Sequence, residues 1–346
     1  MGRERIIGCD FIRAIAALGI IIFHFYCHSQ NTFKPLLYHA NGDFGLVFVT
    51  IFFILSGAMC YYNYNLQEFN IKKFFYKRWK SIFPLFYVAY SYFYIQKVFE
   101  TGKLFWNGKP VLLLQTLFGM DGYIHYRYWD NYFILGEWFL GAIIILYIVY
   151  PALLWCFEKN TLLTTLSLCV LYAIVTCIYV FNPQFFLIEE HCNPVSYILS
   201  FEIGMLLMKH RAYINKKPVM ILSFILCIII LFVKMPIHKN VLEQILGCVL
   251  FCILWNIGNI VMKGRWIAGI IMYIGDLSYA IFLIQHVLIL KILSITNPVE
   301  NLRSMLVLLV TILFIVLVAK IITIVTDAIM NSMLIKKIDN RILKRN

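Results

Sequence analysis

Charge is what this sequence has least of. Asp, Glu, Lys and Arg make up 14% of its 346 residues, against 62% hydrophobic, too few to solvate the surfaces of several soluble domains. Short alternating apolar segments are absent, which argues against a membrane β-barrel. No C-x-x-C pair occurs among the ten cysteines. Cys248 and Cys252 lie one helical turn apart, but no histidine or acid nearby completes a metal site, so buried, inert thiols are expected and no metal. Neither a repeat of 20–50 residues nor a low-complexity linker is visible. The basic start and first apolar run lack a small-residue cleavage site, so this run reads as a retained span. Length and composition leave one class: an all-α, polytopic integral membrane protein.

Ten spans can be drawn, at about 8–28, 44–62, 82–99, 132–156, 162–181, 194–208, 218–234, 241–262, 270–293 and 304–330, each near the length a bilayer needs. The sixth is short and interrupted by Glu202. Residues 1–346 therefore form a single transmembrane domain of about ten helices in one bundle, with a tail at about 331–346. The net charge of +13 would suit a nucleic acid, but the basic residues fall in clusters between spans, as membrane orientation requires. Arg3 and Arg5 precede the first span. Lys72, Lys73, Lys77, Arg78 and Lys80 follow the second, and Lys159, Lys209 to Lys217, Lys263 and Arg265 recur in every second loop. Lys336, Lys337, Arg341, Lys344 and Arg345 form the tail. Acids such as Asp43, Asp121, Glu189 and Glu190 sit in the alternate loops. Both termini are thus expected in the cytoplasm, in a multi-pass protein of the cell membrane. The longest connection, about Glu100 to Asn131, then faces outward. Its Trp106, Tyr123, Tyr126, Tyr128 and Trp129 suit an interfacial belt better than stacking on sugar rings.

The chain's chemistry begins in Cys9–Phe25. Asp10, Arg13 and His24 interrupt an otherwise apolar helix pattern. Eleven helical steps bring His24 to within about 20° of the Arg13 direction and about 16 Å further along the axis. One face therefore carries a guanidinium near one membrane surface and an imidazole well inside, where ionisable groups face a protein interior or a wet cavity. His24 exchanges a proton near neutral pH, which suits activation of a hydroxyl; the plainer reading is a core histidine satisfied by a carbonyl. His28 lies one turn beyond it, and the two have no third ligand close in sequence. Asp10 stands three residues before Arg13, spaced either to pair with it or to end the span.

Further along, Lys77, Arg78 and Lys80 encode topology and also offer an anion site, such as the phosphates of coenzyme A need. Glu137 is an acid just inside the fourth span. Ser278, Tyr279 and His286 bring polar groups into the ninth. Ser278 and Gln285 share a face, and His286 is rotated from them by about 100°.

Together these residues resemble the membrane-bound acyltransferase 3 family of bacterial O-acyltransferases. Asp10, Arg13, Ala14, Ala16, Ala17 and His24 are similar to its opening signature. Gly45 with Phe52–Gly57 resembles its glycine-ending motif, and Lys77–Pro84 its basic motif before a proline. Ser81 stands where members commonly have a second arginine, and Lys80 is the nearest substitute. Gly136–Phe139, continuing to Pro151, resembles the acid-and-aromatic motif, with Tyr132 in place of the usual tryptophan. Leu277–His286 resembles the late serine-tyrosine-histidine motif, and Asp327 is a weak match to a closing acid. The resemblance spans roughly 8 to 330. It implies an acyl-CoA donor, with acetyl-CoA the simplest. It implies an acceptor hydroxyl on a cell-surface glycan or lipid-linked sugar, reached within or across the lipid bilayer. His24, Arg13, Asp10, Glu137, Ser278, Tyr279 and His286 are the expected catalytic set, and Lys77, Arg78 and Lys80 the expected donor contacts. A transporter or flippase for a polysaccharide precursor is the rival class, since polar groups inside spans also line paths. A membrane acyltransferase of the kind built on a histidine and a distant asparagine is disfavoured by a histidine in the first span.

Overall fold

The computed structural model describes residues 4–64, 69–125, 130–135, 137–296 and 299–332, and of Glu137 the backbone alone. Thirteen α-helices lie in these residues: α1 Ile7–His28, α2 Phe44–Asn63, α3 Ile71–Thr101, α4 Leu113–Leu117, α5 Asp121–His125, α6 Glu137–Lys159, α7 Thr161–Phe181, α8 Pro194–Lys209, α9 Arg211–Ile214, α10 Lys217–Phe232, α11 Lys239–Val261, α12 Arg265–Thr296 and α13 Asn301–Met330. A two-residue antiparallel pair, Tyr38–His39 with Gly42–Asp43, is the strand content.

Local sequence sets the starts. The side chains of Asp43, Asn70, Asn160 and Asn193 accept from the backbone N–H of Leu46, Lys73, Leu163 and Val195, supplying donors otherwise orphaned at a helix start. Gly102, at φ +67, closes α3 in a left-handed conformation that a Cβ disfavours.

Each of the ten expected spans falls on a helix. Seven are long and apolar enough to cross a membrane: α1, α2, α6, α7, α11, α12 and α13. Of the other three, α8 and α10 have 16 residues each, about 24 Å of rise. The third differs most from expectation. The apolar run begins at 82, but the Asn70 cap starts the helix at Ile71, so Lys72 to Lys80 lie on helix α3 itself.

The basic loops gather at one end of the bundle. There Tyr62 Oη donates to Glu4 O, Lys209 Nζ to Thr161 Oγ1, and Trp255 Nε1 to Asn215 Oδ1. Met330 and Trp79 line one crevice at that end, which brings the close of α13 to the start of α3. At the opposite end Lys239 pairs with Asp43, and His238 with Glu190. The protein is a multi-pass membrane protein. Its outer helices show apolar side chains to the surroundings, Leu306, Leu309, Leu313 and Leu317 on α13 and Leu162, Leu166 and Val170 on α7, as a lipid-facing surface must.

Helix α1 packs against α2, α11, α12 and α13. Its interior positions are small, with Ala14, Ala16, Ala17 and Gly19 all buried. The closest approach lies between α2 and α8. A Cβ at Gly57 would stand 1.8 Å from Phe201 O, and one at Gly204 would stand 2.0 Å from Ile54 O. Association in lipid rests on van der Waals contact and small residues, so this crossing depends on having no side chain there. The glycine that ends Phe52–Gly57 is thus a packing residue.

The connection between α3 and α6 is folded. Trp106 packs against Tyr94 and Tyr132, with ring centroids 4.7 and 5.2 Å apart, so it is part of an aromatic core. Tyr123 sits against Gly141. Tyr126, Tyr128 and Trp129 lie outside the described residues. Asp121 is buried here and accepts from Thr116 Oγ1 at 3.2 Å. Burial raises its carboxyl from the ordinary 3.8 to about 7. Folded and unfolded chains both hold this proton at pH below 3.8, so the folded state loses stability as pH rises from there through about 7. Asp121→Asn cannot ionise. Its melting temperature should gain on the wild type's as pH rises from 4 to 8; a constant offset across that range would remove Asp121 as the cause.

Candidate active site

Two cavities enter the bundle around α1. The first, of about 270 Å³, faces the basic end and is lined by Arg13, Ser56, Arg78, Ser81, Tyr147, Ser278 and Tyr279 among others. The second, of about 400 Å³, faces the other end and is lined by His24, His28, His286, Asp43, Lys239 and His191 among others. Phe52, Phe139 and Phe282 line both. Their centroids are 6.1 Å apart for Phe52 and Phe139 and 5.2 Å for Phe139 and Phe282, so aromatic rings divide the two chambers. Arg13 and His24 share a face of α1, as their spacing predicts, and each looks into a different chamber.

Beside the first chamber the Asp10–Arg13 pair forms, Arg13 Nη1 donating to Asp10 Oδ1 at 3.1 Å. The sequence offered pairing or span termination, and the structure shows pairing. Asp10 is buried and also accepts from Arg5 Nε, while Arg5 Nη2 reaches Asp276 Oδ1 at 2.7 Å. Two arginines thus share one carboxylate, which fixes Arg13 while leaving its guanidinium a chamber wall. Arg78 stands over the rings of Tyr147 and Tyr64, at 5.3 and 5.9 Å to their centroids. Its buried Nε has no hydrogen-bond partner. Of the basic motif Arg78 enters the chamber wall, whereas Lys77 lies over Tyr64 and neither Lys77 nor Lys80 lines it. Ser81 does line it and donates to Arg78 O, so the serine that replaces an expected arginine leaves Arg13 and Arg78 as the two cations there. Tyr279 Oη donates to Ile82 O at 3.2 Å, which ties α12 to α3. Ser278 is buried beside it.

In the second chamber α12 runs alongside α1 and brings His286 to the first-span histidines. The His286 ring lies 5.1 Å from His24 and 5.0 Å from His28, and the Nε2 atoms of His28 and His286 are 2.9 Å apart. The expected set therefore divides: Arg13, Ser278 and Tyr279 go to one chamber, His24 and His286 to the other, with Asp10 behind Arg13. The side chain of Glu137 lies outside the described residues. Asp327 lines neither chamber.

The profile of an acyltransferase domain matches residues 6–325. This chain belongs to the acyltransferase 3 family. No curated protein and no solved structure matches it. The match covers every helix named here except the last turn of α13, so both chambers of this membrane acyltransferase lie inside it.

Sequence reasoning missed several chamber residues. Phe52, Phe139 and Phe282 lie within the glycine-ending, acid-and-aromatic and late motifs but carried no assigned role, and Tyr147 has no local signal, because their meeting joins three helices, α2, α6 and α12. Lys239 and Asp43 pair at 2.7 Å across 196 positions, a contact with no local spacing to betray it.

Proposed function

We propose that this acyltransferase moves an acyl group, most simply acetyl, from acyl-CoA to a hydroxyl of a cell-surface polysaccharide or glycolipid. The division into a cationic chamber and an imidazole chamber carries this reading. By the bias of basic loops, the end holding Arg13 and Arg78 is cytoplasmic and both termini lie there. Donor phosphates would sit with Arg78 and Arg13 while the uncharged thioester arm passes between the phenylalanine rings. Lys77 and Lys80, on the same helix but outside the wall, add to the attraction of a polyanion without touching it. The acceptor enters from the opposite end, where Lys239 and Asp43 offer hydrogen bonds to sugar hydroxyls.

His24 would take the hydroxyl proton as the oxygen attacks the thioester carbonyl. The tetrahedral centre then expels the coenzyme thiolate, and the imidazolium returns its proton to the leaving sulfur. Arg13, about 16 Å along α1 from His24 and in the other chamber, lies too far to reach the developing oxyanion, so its role is with the donor phosphates, where Asp10 holds it. Glu137 at the start of α6 and His286 remain the alternative bases.

The paired chambers also fit a path for a polysaccharide precursor, the rival reading. Purified protein in lipid vesicles, given acetyl-CoA labelled in the acetyl group and a glycan acceptor, separates the two: transfer supports the acyltransferase, and movement of intact glycan without acyl-CoA consumption supports the path. In the same assay Arg78→Ala should raise the donor KM more than it lowers kcat, the mark of lost ground-state binding. An unchanged donor KM would return Arg78 to a purely topological role.

A further inference from the structure

The sequence places two histidines a turn apart and no third ligand near them. The fold supplies the third. His24 and His28 on α1, with parallel rings 9° apart in plane, face His286 on α12, and one ligating nitrogen from each lies within 4.8 Å of the others. We propose that these three imidazoles form a site for a divalent transition cation of the zinc class.

The geometry is near what such an ion requires. Zinc–nitrogen bonds of about 2.0–2.1 Å in a tetrahedron place donor atoms about 3.3 Å apart. The His28–His286 nitrogens, at 2.9 Å, would open slightly. The widest separation, at most 4.8 Å, would close by about 1.5 Å through side-chain rotation. The donor set is selective as well. Imidazole nitrogens suit zinc, copper and nickel, while magnesium and calcium call for oxygen ligands that this cluster does not contain. Helical His-x-x-x-His spacing puts two ligands on one face, as in other helix-borne zinc sites. The cluster stands in a chamber wall, so the fourth coordination position opens on the cavity, as three-histidine sites leave it. Ligand imidazoles must be neutral, so affinity falls as pH drops through their titration. One consequence rests on the function proposed above: a bound cation occupies the His24 lone pair and so withholds it from proton transfer.

The test reads binding without acyl transfer, so its failure is separate from any failure of that function. Full-length protein in detergent, stripped with a chelator, is titrated with cobalt(II) and followed by its visible absorption. The expected result is one saturable equivalent with ligand-field bands, no thiolate charge-transfer band, and displacement by zinc. His28→Ala and His286→Ala should each weaken binding by at least about tenfold, on the scale at which even outer partners of ligands cost 10–100-fold. His191→Ala, elsewhere on the same wall, should leave it unchanged. A thiolate band would assign the metal to the cysteines, and wild-type affinity in His28→Ala and His286→Ala, or no saturable binding, would overturn the site.

Discussion

His24→Ala is expected to lose acyl transfer by at least the roughly 10²–10⁴-fold that a positioned acid–base supplies, while insertion and folding persist. The residue lines a cavity and is partly exposed within it, so its removal enlarges a space that the bundle already holds. A larger loss would point to an acyl-histidine intermediate in place of direct transfer. His24→Gln keeps hydrogen-bonding capacity but cannot exchange a proton near neutral pH, and should fail nearly as badly. Arg13→Lys should fail with it, because an ammonium cannot reproduce a guanidinium that pairs with Asp10 on one side and faces the chamber on the other. Turnover of His24→Gln above about a tenth of wild type would exclude His24 as the base. His286, 5.1 Å away between ring centroids, would then be the first group to test.

The second large effect is on folding. A methyl group at Gly204 meets Ile54 O at 2.0 Å, and one at Gly57 meets Phe201 O at 1.8 Å. Both obstacles are backbone, so no rotamer change relieves them and the helices must part. Overpacking costs about 1–3 kcal/mol where side chains can shift, and here the loss should reach or exceed the top of that range. Gly204→Ala and Gly57→Ala should therefore yield little monodisperse protein in detergent. Gly269→Ala on α12, where a Cβ would meet nothing within 4 Å, is the control and should behave as wild type or gain slightly from helix propensity. A Gly204→Ala protein with unchanged melting temperature would mean that α2 and α8 are not in backbone contact.

Periodicity carried most of the fold. Apolar runs of bilayer length located nine of the ten long helices to within about five residues at each end, since nothing else in a chain so poor in charge competes with that signal. The exception, α3, shows the limit: its first turns are basic and resemble a loop until Asn70 is recognised as a cap. The candidate site was legible where it lies along one helix. Arg13 and His24 come from the 3.6-residue repeat, and so does the Asp10 partner. What crosses between helices was not legible. Arg5 beside Asp10, Tyr147 under Arg78 and His286 beside His28 follow from packing of α1, α3, α6 and α12, and no spacing within a single helix encodes it. The two first-span histidines have no third imidazole nearby in sequence, and α12 brings His286 to within 2.9 Å of His28 from 258 positions away.

The phenylalanine partition bears on the energy of the whole cell. Two chambers with charged and polar side chains in their walls approach each other from opposite ends of the bundle and meet at Phe52, Phe139 and Phe282. A membrane that stores work as an ion gradient cannot tolerate a continuous water column through a protein. Stripping a hydrated ion to pass between apolar rings carries a large desolvation cost, whereas an uncharged thioester arm has little hydration to lose. Electrical insulation at this point of the bilayer is then supplied by three side chains in place of lipid. The same rings that would admit a reacting group are those that keep protons and sodium from following it.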